Sequence, residues 1–88
     1  MTHLTKAADQ FSETAIDDEI VVMSLASGSF FSLTGTARTI WQLLDDHRTE
    51  PALLAALAAS HATNEAAIAP ELMQFLSQLR EAGLIVAG

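Results

Sequence analysis

The sequence predicts a small α+β protein in which three antiparallel strands come first and three helices follow. Three observations carry that prediction. Up to Leu33, apolar residues alternate or run together in short stretches, punctuated by Asp17-Asp18 and Ser27-Gly28. From Ala37 onward they recur at three- and four-residue spacing. Between the two regimes, Ser29 to Trp41 reads Ser-Phe-Phe-Ser-Leu-Thr-Gly-Thr-Ala-Arg-Thr-Ile-Trp. That stretch is a strand that turns a tight corner straight into an amphipathic helix.

The strands come in order. Residues 1–9 show no alternation and are expected as a flexible arm. Phe11 to Ile16 can form a short strand, and Asp17-Asp18 a turn. Ile20 to Ala26 is the strongest strand, apolar on both faces, as in a central strand. Ser27-Gly28 then supplies a two-residue hairpin turn, which sets Leu25 opposite Phe30 and Val22 opposite Leu33. Ile20, Val22, Phe31 and Leu33 fall on one face, expected to meet the helices; Val21, Met23, Leu25 and Phe30 fall on the other. The strand Phe30 to Thr34 is left at the edge. Apolar edges are usually blunted by Lys or Pro, and this one has neither. Either a helix covers it or it is kept for a partner.

The helices follow. Thr34-Gly35-Thr36 can cap a helix over Ala37 to Asp45, with Ile40, Trp41 and Leu44 turned to the core. After a polar loop, Asp45 to Arg48, Thr49 can cap a second helix reaching about Ser60, with Glu50 and Pro51 in its first turn. Leu53, Leu54 and Leu57 form its apolar side. Thr63 and Asn64 can cap a third helix. Pro70 either kinks it near Ala66 or marks a later start. Leu72, Phe75, Leu76 and Leu79 make its apolar stripe, and Gly83-Leu84 reads as a left-handed stop. Leu84 to Val86 can add a short terminal strand or wing.

Eighty-eight residues allow one small domain over 1–88. Half of them are hydrophobic, enough for a core and too many for a disordered chain. No apolar run approaches the roughly 20 residues of a membrane span. The first ten residues lack a signal-peptide core, and there is no cysteine. A cytoplasmic protein is therefore expected. The net charge is −7, with Lys6, Arg38, Arg48 and Arg80 as the fixed cations. That composition is poorly matched to nucleic-acid phosphates or anionic membranes. A neutral or basic peptide suits it better.

The order of residues resembles the PqqD-like family, the recognition elements of pathways that modify ribosomally made peptides. The resemblance rests on Gly28, Phe30, Phe31, Leu33, Thr34, Ala37, Ile40, Trp41, Leu43, Leu44 and Asp45, then on Phe75, Leu76, Leu79, Gly83, Leu84 and Ile85. It spans about residues 11–86. Thr34 departs from the family's commoner Asn but is also a capping residue. The family fold is a three-stranded sheet joined to a winged helix-turn-helix-like bundle. The resemblance implies a non-catalytic protein that binds the leader of a precursor peptide. The leader would add as a strand to the third strand, through the backbone of Ser29, Phe30, Phe31, Ser32, Leu33 and Thr34. Side-chain pockets would lie toward the last helix, at Leu72, Met73, Leu76 and Arg80. Met suits a groove that accepts varied apolar side chains. The precursor would then pass to a separate enzyme, such as a lasso-peptide leader peptidase or cyclase or a radical-SAM modifier. No cofactor is implied. An open edge can also pair with its own copy, so a weak homodimer is a further form for the chain.

Two rival classes fit less well. An acyl-carrier-like domain needs an Asp-Ser-Leu at a helix start, whereas Ser24-Leu25 and Ser32-Leu33 lie in strands. A winged-helix DNA binder needs cations on its recognition helix, whereas residues 64–82 carry one Arg and three Glu. His3, His47 and His61 lack metal-ligand spacing, and there is no Gly-x-Ser-x-Gly or Gly-rich phosphate loop. Asp17-Asp18-Glu19 and Asp45-Asp46 read as solvated turn charges.

Overall fold

Val22 is fully buried at the centre of a sheet whose strands follow chain order. The computed structural model describes residues 3–46 and 49–87, so the loop expected at His47 and Arg48 lies outside the described residues. The elements are β1 (Leu4–Lys6), β2 (Phe11–Ile16), β3 (Glu19–Ser24), β4 (Phe30–Leu33), α1 (Gly35–Leu43), α2 (Glu50–Ser60), α3 (Glu65–Glu81) and β5 (Ile85–Ala87). Strands β2, β3 and β4 form a three-stranded antiparallel sheet, and the three helices follow it. The fold is thus α+β, with β3 central.

The β3–β4 hairpin differs from expectation by two residues. Ile20 pairs with Leu33, Val22 with Phe31 and Met23 with Phe30. The strand ends at Ser24 rather than Ala26. Leu25 to Gly28 form a four-residue loop closed by Ser24 N–H to Ser29 O at 2.8 Å and Gly28 N–H to Ser24 O at 2.8 Å. A two-residue turn of the hairpin type needs positive φ at its first central residue, here Ser27. The longer loop needs it only at Gly28, whose φ is +73°. The slip is even, so every side chain keeps its face. Ile20, Val22 and Leu33 are buried and Phe31 half-buried, while Phe30 is 69 % exposed on the far face.

Residues expected as a loose arm carry β1 instead. It pairs antiparallel with β5, setting Leu4 opposite Ala87, and Leu4 is fully buried. Ala7 N–H to Leu84 O, 2.8 Å, extends the pairing. The expected short terminal strand forms, as half of a second, two-stranded sheet.

Helices α2 and α3 begin where their capping residues stand. Thr49 Oγ1 accepts from Ala52 N–H at 3.3 Å, and Asn64 Oδ1 from Ala67 N–H at 2.8 Å. Helix α3 starts at Glu65 and runs through Pro70, so Pro70 does not mark its start. Thr34 precedes α1 without a side-chain cap; the helix starts two residues early, at Gly35, whose φ is +57°. Helix α3 stops as expected: Leu84 N–H bonds Leu79 O at 3.0 Å and Gly83 N–H bonds Arg80 O at 3.1 Å, with Gly83 left-handed.

The core gathers Leu4, Val22, Ile40, Trp41, Leu53, Leu57, Leu72, Leu76, Leu79 and Leu84 into one cluster. Burying each large side chain contributes about 1.5–3 kcal/mol before entropy is counted. Trp41 ties the layers together. Its Nε1–H donates to Glu13 Oε2 at 2.8 Å, and Phe11 meets its ring edge-on at 5.1 Å. Lys6 Nζ sits 4.3 Å from the ring centroid and 3.0 Å from Asp45 Oδ1.

Candidate functional site

Strand β4 pairs with β3 on one side only, and its other edge has no partner among the described residues. The register says which groups face out. Ser24 and Ser29 exchange a ladder bond, so in antiparallel alternation Phe31 and Leu33 also bond inward, to Val22 and Ile20. Phe30 and Ser32 therefore turn their N–H and C=O outward. A strand added here would lay alternate side chains on the two faces of the sheet: those beside Phe31 and Leu33 toward the helices, those beside Phe30 and Ser32 toward solvent.

A groove of about 240 Å³ opens between α1 and α3. Ala37 and Ile40 line it from α1; Glu71, Gln74, Phe75 and Gln78 line it from α3. Helix α1 leaves β4 through Thr34, so the wall at Ala37 begins within a turn of the open edge. Ala37 has no bulk to fill the space, and Phe75 is half-buried beside it. Glutamine amides and a carboxylate rim an apolar floor. That combination can seat apolar side chains and bond a peptide backbone or a Lys or Arg.

The expected site residues divide. Ser29 to Thr34 form one stretch, with Ser29, Phe30, Ser32 and Thr34 exposed. On α3 the expectation chose other faces of the same turns. Leu72 and Leu76 are 1 % and 2 % exposed, so they are core rather than walls of this groove. Met73 is 47 % exposed but lies on the opposite flank, facing a cleft beside α2. Arg80 is exposed and lines neither this groove nor the cleft at Met73. The stripe that faces inward, Leu72, Leu76 and Leu79, separates two flanks about 100° to either side, as 3.6 residues per turn dictates. Glu71, Phe75 and Gln78 hold one flank; Ala69 and Met73 hold the other. Sequence reasoning missed Ala37, Glu71, Gln74 and Gln78. Their signal is Phe75 with polar residues at helical spacing around it, opposite an alanine.

A larger recess, about 470 Å³, lies elsewhere. Lys6, Phe11, Glu13 and Asp45 line it, with β2 and β3 between it and the β4 edge. No group of three or more His, Cys, Asp or Glu among the described residues could hold a metal ion. No helix there is long and apolar enough to cross a membrane.

One family model covers most of the chain. Residues 19–85 match the family described as Coenzyme PQQ synthesis protein D (PqqD). Among solved structures, the chain is similar to TbiB1 in complex with the TbiA(beta) leader peptide. The TM-score is 0.80 at 27 % identity, covering 92 % of this chain and 94 % of that one. A search of curated proteins finds no match.

Proposed function

The chain belongs to the PqqD family, and from that premise we propose that it binds the leader region of a ribosomally made precursor peptide and catalyses nothing itself. The observation that carries the reading is the open β4 edge beside the α1–α3 groove. The leader adds as a strand, bonding the outward backbone groups of Phe30 and Ser32. Its side chains beside Phe31 and Leu33 enter the groove between Ala37 and Phe75. Main-chain bonds supply sequence-tolerant affinity, and the groove selects. The likeness to a protein solved with a leader peptide supports leader binding. Glu71 and the net charge of −7 favour a leader carrying Lys or Arg.

The precursor then passes, in the cytoplasm, to a separate tailoring enzyme: a lasso-peptide leader peptidase or cyclase, or a radical-SAM modifier. Weak self-pairing along β4 competes with the leader. The test is an amide-resolved NMR titration with the leader of the precursor encoded beside this gene. Shifts confined to Phe30–Thr34, the first turns of α1 and the Phe75 flank of α3 are expected. No shift at millimolar peptide would overturn the reading for that precursor.

A further inference from the structure

The flank of α3 that the leader groove does not use has its own apolar recess. Pro51 and Leu54 of α2 face Ala69 and Met73 of α3 across about 250 Å³, with buried Leu72 as the floor. Helix α2 has no charged residue after Glu50, so this side of it presents only apolar groups to the cleft. At the mouth stand two carboxylates, Glu50 and Glu65, one in the first turn of each helix. Favourable placement near helix N-termini accounts for the two acids. It does not account for an open apolar floor between them, with a large Met side chain left 47 % exposed. Neither acid forms an ion pair among the described residues.

We infer that this cleft docks a short amphipathic segment of a partner protein, one or two bulky apolar side chains flanked by Lys or Arg. Size and charge select that occupant. The space is below the roughly 300–1,000 Å³ of small-molecule sites, and fits a few side chains. The acidic mouth calls for cations beside them. A second copy of this chain would bring a net charge of −7 against the same acids. Of its described cations, Lys6 is committed to Asp45, which leaves Arg38 and Arg80 against eleven acids. A leader held along β4 lies on the opposite flank of α3, so both sites can be filled at once. Identifying the partner as the enzyme that receives the precursor rests on the leader-capture reading; the cleft's chemistry does not. Met73 in its wall suits the cleft to more than one apolar side chain.

The test uses the full chain with ¹³C-methyl-labelled Met and Leu, titrated with the capped peptide acetyl-Lys-Leu-Phe-Leu-Arg-Lys-amide, alone and with leader bound. The expected result is a saturable shift of the Met73 and Leu54 methyls, unchanged by saturating leader. Binding should weaken at least fivefold in the Glu50→Gln, Glu65→Gln double variant, and should also fall in high salt. The exposed change Met73→Glu should abolish it while the leader still binds. Four results would overturn the inference: no methyl shift at millimolar peptide, affinity indifferent to the two acids, competition with leader, or shifts on protein dilution alone that reveal a second copy in the cleft. Leader titration is scored separately. A silent leader with a responsive Met73 sinks the capture reading and leaves the cleft standing; the reverse result does the opposite.

Discussion

Replacing Ser32 with proline should separate the outward edge of β4 from its inward ladder. The Ser32 N–H points away from β3, because the Val21–Ser32 pair lies between the bonded pairs Val22–Phe31 and Ile20–Leu33. Proline there removes no bond to β3, and edge strands tolerate it where the missing donor faced solvent. The exposed hydroxyl bond from Ser32 to the Glu19 carboxylate is lost, at small cost. Phe31, the preceding residue, is already extended, as proline requires. An added strand, by contrast, loses one main-chain bond worth about 0.5–1.5 kcal/mol and meets the ring where its carbonyl should sit. Together these come to about 2 kcal/mol, or roughly a 10- to 30-fold weaker dissociation constant. Fluorescence anisotropy of a labelled leader gives the constant, and circular dichroism with thermal melting confirms the fold. The matched control is Ala15→Pro, which blocks an outward position on the opposite edge, on β2, by the same alternation. Leader affinity within twofold of the parent for Ser32→Pro, in a folded protein, would refute strand addition at β4. Loss of affinity only in Ala15→Pro would place the leader on the wrong edge for this reasoning.

Other substitutions test the rest of the site and the frame that holds it. Ala37→Phe should fill the groove between α1 and α3 and weaken leader binding about tenfold or more by calorimetry, with little change in melting temperature. Leu76→Ala should cost about 2–5 kcal/mol in urea unfolding, because a fully buried side chain leaves a cavity, while the folded fraction keeps its leader affinity. Glu13→Ala should cost about 1–3 kcal/mol by leaving the buried Trp41 indole N–H without an acceptor, read as a lower urea midpoint. Leu4→Ala should destabilise by about 2–5 kcal/mol in the same assay, against near-zero cost if residues 1–9 were a loose arm.

Local signals were readable where a residue's own chemistry decides the outcome. Thr49 and Asn64 cap because their oxygens reach the next turn, and Gly83 stops α3 because it can adopt a left-handed backbone. The faces of the sheet were readable despite a hairpin displaced by two residues, since side chains repeat every two. The open edge of β4 followed from the lack of a later strong strand. What lay beyond reach was long-range. Leu4-Thr5-Lys6 is too short to show alternation, and its partner, Ile85–Ala87, lies at the other end of the chain. The same limit governed α3. Its stripe of Leu72, Leu76 and Leu79 was plain, but a helix has two flanks beside its buried stripe. Which flank meets α1 and which meets α2 is settled by packing angles that no local spacing encodes. Hence Met73, readable as an adaptable side chain, belongs to a different cleft from the one expected.

The pairing of β1 with β5 gives the molecule a direction of mechanical weakness. Its outermost rung joins Leu4 to Ala87, followed by Thr5–Val86 and Lys6–Ile85. Tension applied through the chain before Leu4 and after Ala87 falls on that first rung alone, then on the next, so the clamp peels like a zipper. As it opens it draws Leu4 out of the core. A strand lying along β4 and pulled along its own length would load its bonds together, in shear. A tug on a peptide held at β4 is thus shared among several bonds, while a tug on the protein's two ends is met by one at a time.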